Sequence, residues 1–196
     1  MTWQKEMKRK CIITILILFS VSFAYADEAS EALSDKTPEE VTKSTRNLIQ
    51  SGLNQQDTIE VTRAMLQNQF NVQQILDAHT VLMQAHQQEI TPEPIISKAY
   101  EGMSKHVAAD NIVRAMNKVR SRYAFAHQQA QKLTPRRGHL NEIQQTMAAS
   151  LSAGLESFGL ETIVKELQAR FQELNTNQQI ALAMETFKAT RDIARL

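Results

Sequence analysis

Five histidines are the residues of this chain best suited to chemistry, and His79 and His86 come first. They lie seven apart on one expected helix, both on its apolar face. A buried acid–base group or a metal pair would use such positions. Zinc pairs on a helix sit three or four residues apart, so that both rings reach one ion. A spacing of seven spreads these two over two turns, about 10 Å. His79 and His86 are therefore expected to be core or rim residues, with no metal bound. His106 reads as a surface-turn residue beside Lys105. His127 and His139 flank a linker, with no Cys, Asp or Glu at ligand spacing. The single cysteine, Cys11, stands in the leader described below, which leaves no Cys–His nucleophile pair. The chain has no G-x-S-x-G, no Walker loop, no H-E-x-x-H and no G-x-G-x-x-G. No cofactor is expected.

The carboxylates Glu93, Glu101, Asp110, Glu142, Glu156 and Glu161 are scattered, mostly near expected helix ends, where they face water or the positive end of the helix dipole. A helical glycan-cleaving enzyme would need one of them buried in a cleft. The densest charge is basic: Arg114, Lys118, Arg120 and Arg122, with Arg136 and Arg137 beyond. It could bind phosphate, lipid A or nucleic acid, or form a solvated helix face whose later cations favour the negative C-terminal end.

These residues are positioned by a pattern of about 37 residues that occurs twice between Leu53 and Tyr123. Placing Leu53 on Ile90 brings Ile59 onto Ile96, Phe70 onto Val107, Val72 onto Ala109, Ile75 onto Ile112 and Leu82 onto Val119. In the same register His79 meets Met116, His86 meets Tyr123 and Gln69 meets His106. The two histidines thus occupy packing positions that the other unit fills with ordinary groups. A fainter third copy places Ile163 on Ile112, Phe158 on Val107, Val164 on Val113 and Leu167 on Met116. The fragment Leu174-Asn175-Thr176 then resembles Leu53-Asn54-Gln55, as if a further unit begins. Each unit reads as two helices.

The first 26 residues are expected to lie outside the fold. Lys5, Lys8, Arg9 and Lys10 precede an apolar run of about 15 residues, short of the roughly 20 that span a bilayer. Ala24-Tyr25-Ala26 then offers small residues at the positions a signal peptidase reads. Residues 1–26 are identified as a signal peptide cleaved after Ala26, which implies export to the periplasm or secretion, with no transmembrane helix after cleavage. Cleavage would leave 18 basic against 20 acidic residues, with no cysteine and no tryptophan. That balance gives no general attraction to nucleic acid, and a domain without cysteine rests on packing alone.

Residues 27–36 are acidic and lack apolar phase, as a flexible leader would. Residues 37–196 are expected to form a single all-helical domain of seven or eight helices, with repeats at about 53–89, 90–132 and, weaker, 139–174. Thr37-Pro38-Glu39-Glu40 reads as a helix start, with Gly52 closing that helix. Asp57 with Glu60 opens the next, and Asn71 caps a third running from Val72 to His86. Thr91-Pro92 opens a fourth. A fifth runs from Ala109 to about Lys132, and Leu133–Gly138 forms a linker. Three more follow at about Leu140–Glu156, Leu160–Leu174 and Asn177–Ile193. No stretch alternates with period two for long enough to make a sheet. The expected architecture is all-α: tandem helical hairpins in a short solenoid, or an orthogonal bundle.

Stacked hairpins create an extended surface, and such surfaces usually bind proteins or peptides. The expectation is a non-enzymatic module binding another envelope or secreted protein through Tyr100, His106, Arg114, Lys118, Arg120 and Arg122. A rival class is a carrier or sensor holding a small apolar ligand among Met65, Met83, Met103 and Met116. A third is the helical hydrolase with a single buried carboxylate.

Overall fold

The computed structural model describes Leu33, residues 36–133 and residues 137–195. The expected signal peptide lies outside the described residues. So does the expected leader, except Leu33, which is buried, and Lys36.

The described residues are all-helical, with no strand among them. In chain order the helices are α1 (Glu39–Gln50), α2 (Gln55–Gln67), α3 (Val72–Gln87), α4 (Glu93–Ser104), α5 (Ala109–Leu133), α6 (Arg137–Ala153), α7 (Ser157–Arg170) and α8 (Thr176–Ile193). A 3₁₀ turn, Phe171–Glu173, extends the end of α7. No helix among the described residues is long and apolar enough to cross a membrane.

Two compact units are present. One comprises the described residues up to His86 together with Pro92–Met116; the other comprises Gln87–Thr91 and the described residues from Asn117. Helix α5 contributes to both. In the first unit α2 packs against both α1 and α4, and α3 meets α5 through Gln74 Nε2, which donates to Asp110 at 2.7 Å. Its core includes Leu48, Met65, Ile75, Leu82, Ile95 and Ile112, all essentially without exposure. Burying such side chains stabilises by roughly 1.5–3 kcal/mol each. In the second unit α6 packs most extensively against α8, and α7 contacts both. Ile143, Met147, Leu160, Val164 and Phe187 form its centre.

The helix starts correct three sequence expectations. Asn54, not Asp57, caps α2: its side-chain oxygen accepts the Asp57 N–H at 3.0 Å, and Glu60 instead takes a hydrogen bond from Gln56. Asn175 caps α8 in the same way, reciprocated by Gln178. Asn71 and Gln74 make the equivalent reciprocal pair at the start of α3, where Asn71 is the expected cap. Neither Thr37 nor Thr91 caps. Pro38 and Pro92 take the capping position themselves without a side-chain hydrogen bond, because proline presets the entry angle and its carbonyl accepts the first helical N–H groups.

The helix ends carry a periodicity of their own. Gly52, Gln69, Glu89 and His106 all have positive φ, at 109°, 60°, 55° and 52°. Gly52 and Glu89 lie 37 positions apart, and so do Gln69 and His106. At three of these ends the following N–H groups reach back to the last carbonyls: Leu53 to Leu48, Phe70 to Met65 and Val107 to Gly102. Gly154 (φ 121°) makes the same turn in the second unit, with Leu155 N–H donating to the Ser150 carbonyl. Aligning Gly154 on His106 sets an offset of 48. Leu160, Val164 and Leu167 then fall on Ile112, Met116 and Val119, buried on both sides. The expected offset of 51 is therefore shifted by three residues. It treated Phe158 as part of the apolar phase, and Phe158 is 78% exposed.

Candidate interaction groove and buried polar centres

The left-handed turns after α2 and α4 border an open groove of about 400 Å³ in the first unit. Phe70, Met103, Val107 and Ile112 give it apolar surface, while Gln67, Asn68, Gln69 and His106 supply hydrogen-bonding groups. Its walls follow from the turn geometry. A left-handed residue reverses the chain, and the apolar residue after it folds back against the helix just ended. Phe70 is covered in this way, whereas Val107 stays 40% exposed. Nearby charge is partly compensated. The Lys105 ammonium donates to Glu101 at 2.6 Å and Lys98 does so at 2.7 Å, and these two hydrogen bonds hold the Glu101 carboxyl down at about 2. Lys105 thus points its charge at Glu101, next to the rim of amides and imidazole.

Of the expected partner-binding residues, only His106 borders this groove. Tyr100, 38% exposed, sits on α4 where partial burial raises its phenol pKa, helped by Glu60 and Asp57 of α2. The basic residues do not form one ridge. Arg114, Lys118 and Arg122 follow a spacing of four along α5, and Arg120 falls on the other flank of the helix. Arg114 donates to Asn111. Arg120 donates to Asn117, Gln88 and Ser121 at 3.0, 2.8 and 3.2 Å, and Arg122 to Ser152 at 3.1 Å. Every acceptor is neutral, so hydrogen bonding steers these guanidiniums without cancelling their charge. Arg136 lies outside the described residues.

His79 is 2% exposed and joins three helices. Its Nε2 lies 2.9 Å from Thr62 Oγ1 on α2, and its Nδ1 lies 2.9 Å from Ser44 Oγ on α1. The Thr62 hydroxyl already donates to the Thr58 carbonyl at 2.7 Å, so its lone pair faces the ring. Hydrogen bonding is complete when Nε2 carries the proton and Nδ1 accepts from Ser44. That neutral ring fits its burial, which lowers its pKa to about 4. His86 is half-buried, with its ring against Gly52. Both histidines are therefore core or rim, as their places in the repeat suggest.

His127, which the sequence places near the end of a helix flanking the linker, is a second buried centre. Its Nδ1 lies 3.2 Å from Gln144 Oε1 and its Nε2 lies 2.9 Å from Gln131 Nε2. The amide polarities assign the proton to Nδ1, and Gln144 also donates to the Tyr123 carbonyl at 3.4 Å. The signal available in the sequence was phase: His127 follows the buried Ala126 and precedes the buried Ala130 on the same helix. Among the described residues no three His, Cys, Asp or Glu side chains gather as metal ligands. The six carboxylates singled out above are all exposed. Of the stripe methionines, Met65 and Met116 are packed without exposure, and Met103 borders the groove.

No protein-family model, curated protein or solved structure matches this chain.

Proposed function

We propose that this is an exported, non-enzymatic helical-repeat protein that serves as an interaction or assembly module, binding another envelope or secreted protein. The observation that carries this reading is the groove between the two turns. It pairs partly uncovered apolar surface at Val107 with a rim of neutral amides and an imidazole. That chemistry suits a protein segment presenting an apolar side chain beside backbone amides, since the rim can both donate and accept while the floor excludes water. The reading moves the binding face from the basic residues of α5 to the ends of α2 and α4, with His106 common to both.

The test is site-specific photo-crosslinking in the native cell envelope, with the crosslinker at Val107 or, as a control, at Lys188 on α8. One partner captured at Val107, and lost when His106→Asp puts a charge on the groove rim, supports the reading. Equal capture at both positions, or none at Val107, overturns it. A small apolar ligand is the second reading, favoured by Phe70, Met103 and Ile112 meeting in one groove. Saturable binding of a fluorescent fatty acid, abolished by Met103→Gln, would select it.

A further inference from the structure

The arrangement around His79 does more than fill the core. Ser44, His79 and Thr62 come from α1, α3 and α2, and their hydroxyl and imidazole protons run in one direction: Ser44 to His79, His79 to Thr62, Thr62 to the Thr58 carbonyl. Each donor and acceptor in the chain is used once in the neutral state. A second ring proton, on Nδ1, would meet the Ser44 O–H proton head on, so Ser44 would have to turn its hydrogen away and the relay would break at its α1 end. The resulting cation would sit among two hydroxyls and apolar side chains, where an unpaired charge is costly. Burial alone moves the titration of the ring, and no carboxylate, ammonium or guanidinium of the helices around it contributes. No neighbouring acid therefore stands ready to compensate that charge. Ser44 is the accessible end of the relay: it is half-buried, whereas Thr62 is fully buried. Helix α1 is short, and the turn joining it to α2 bends at Gly52. The least costly way to hydrate a charged ring is to move α1.

We propose that Ser44, His79 and Thr62 form an acid-sensitive latch, in which proton uptake at His79 Nδ1 releases α1 from the α2–α3 hairpin. The test is native-state amide hydrogen exchange on the full chain at pH 7 and pH 5, corrected for intrinsic exchange. A group held near 4 in the closed state and near 6.5 once hydrated raises the opening constant of α1 about twentyfold over that interval. The expected result is that fall in protection across Val41–Ile49, with α6 and α8 unchanged and the effect reduced to within about twofold in His79→Gln. Ser44→Ala should loosen α1 at pH 7 already. An unchanged pH effect in His79→Gln, or loss of protection in all helices together, overturns the latch. Should His79→Gln not fold, nitrogen-15 NMR of the unaltered chain decides. A proton on Nε2 and titration below pH 5 support the latch; a proton on Nδ1 or titration near 6.5 overturns it.

Discussion

Each unit buries one histidine, and the two are held differently. In the first unit the ring of His79 is shared among three helices by single-atom hydroxyl partners, with its proton on Nε2. In the second, His127 is held by carboxamides, one on its own helix four residues on and one on α6, with its proton on Nδ1. The amide of Gln131 reaches solvent. The hydroxyl relay links helices far apart in sequence, whereas the amide pair joins α5 only to itself and to α6, the next helix. The first unit thus ties its helices through one titratable ring, and the second spreads the same task over a small network.

The same contrast recurs at the helix crossings. Gly102 of α4 lies where a Cβ would stand 2.6 Å from Ile112 Cγ1, so α4 and α5 meet without a side chain between them. The residue in the corresponding place of the second unit is Ser150, whose hydroxyl donates to the Phe187 carbonyl of α8 at 2.7 Å. Close approach fixes one crossing and a hydrogen bond fixes the other.

Acid should separate the two units most strongly. The folded-state pKa of His79, about 4, lies below its ordinary 6.5, so the unfolded chain takes up the proton first. Its contribution is fully present above about pH 6.5 and is lost as pH falls towards 4. This costs roughly 3 kcal/mol of unfolding free energy, measured as the difference between the parent chain and His79→Gln in urea titrations at pH 7 and pH 4. Next in size, Gly102→Ala forces a Cβ into Ile112 and should lower stability by roughly 1–3 kcal/mol. Gly159→Ala in the second unit meets only the flexible end of Leu155, at 3.0 Å, and should cost less than about 1 kcal/mol. Equal midpoint shifts for the two would break the comparison. Ser150→Ala should cost about 1 kcal/mol by removing one buried hydrogen bond, and Gly102→Ser should remain harmful, since a hydroxyl does not relieve the overlap. Smallest of all, Gln69→Gly and His106→Gly should each raise the thermal midpoint slightly, by roughly 0.5–1 kcal/mol of stability, because glycine adopts positive φ without strain.

Much of the helix succession was legible because it depends on local chemistry. Gly52 ends α1 as expected, Asn71 opens α3, and the apolar phase of Ile75 and Leu82 marks the buried face. The role of His79 as a packing residue followed from its alignment with Met116. Its partners did not, since Ser44 and Thr62 lie 35 and 17 residues away and no local pattern singles out one hydroxyl among many. The cap at Asn54 is hidden in the sequence because Asp57 offers the same spacing three residues further on. The groove was half visible. His106 and Gln69 read as matching turn residues, but the uncovered state of Val107 depends on what packs over it. The basic residues misled for a geometric reason, since a run along the sequence is not a stripe on a helix: Arg120 turns to a different flank from Arg122.

The matched left-handed turns have an editorial consequence. Gly52 and Glu89 both have positive φ, at 109° and 55°, and each is followed by a buried apolar residue, Leu53 or Ile90. Excising residues 53–89 would splice Gly52 directly to Ile90, leaving α1 to enter α4 through a positive-φ glycine followed by a buried apolar residue. In that sense the chain carries cut points at which one hairpin can be lost, or inserted, without altering the syntax of its neighbours.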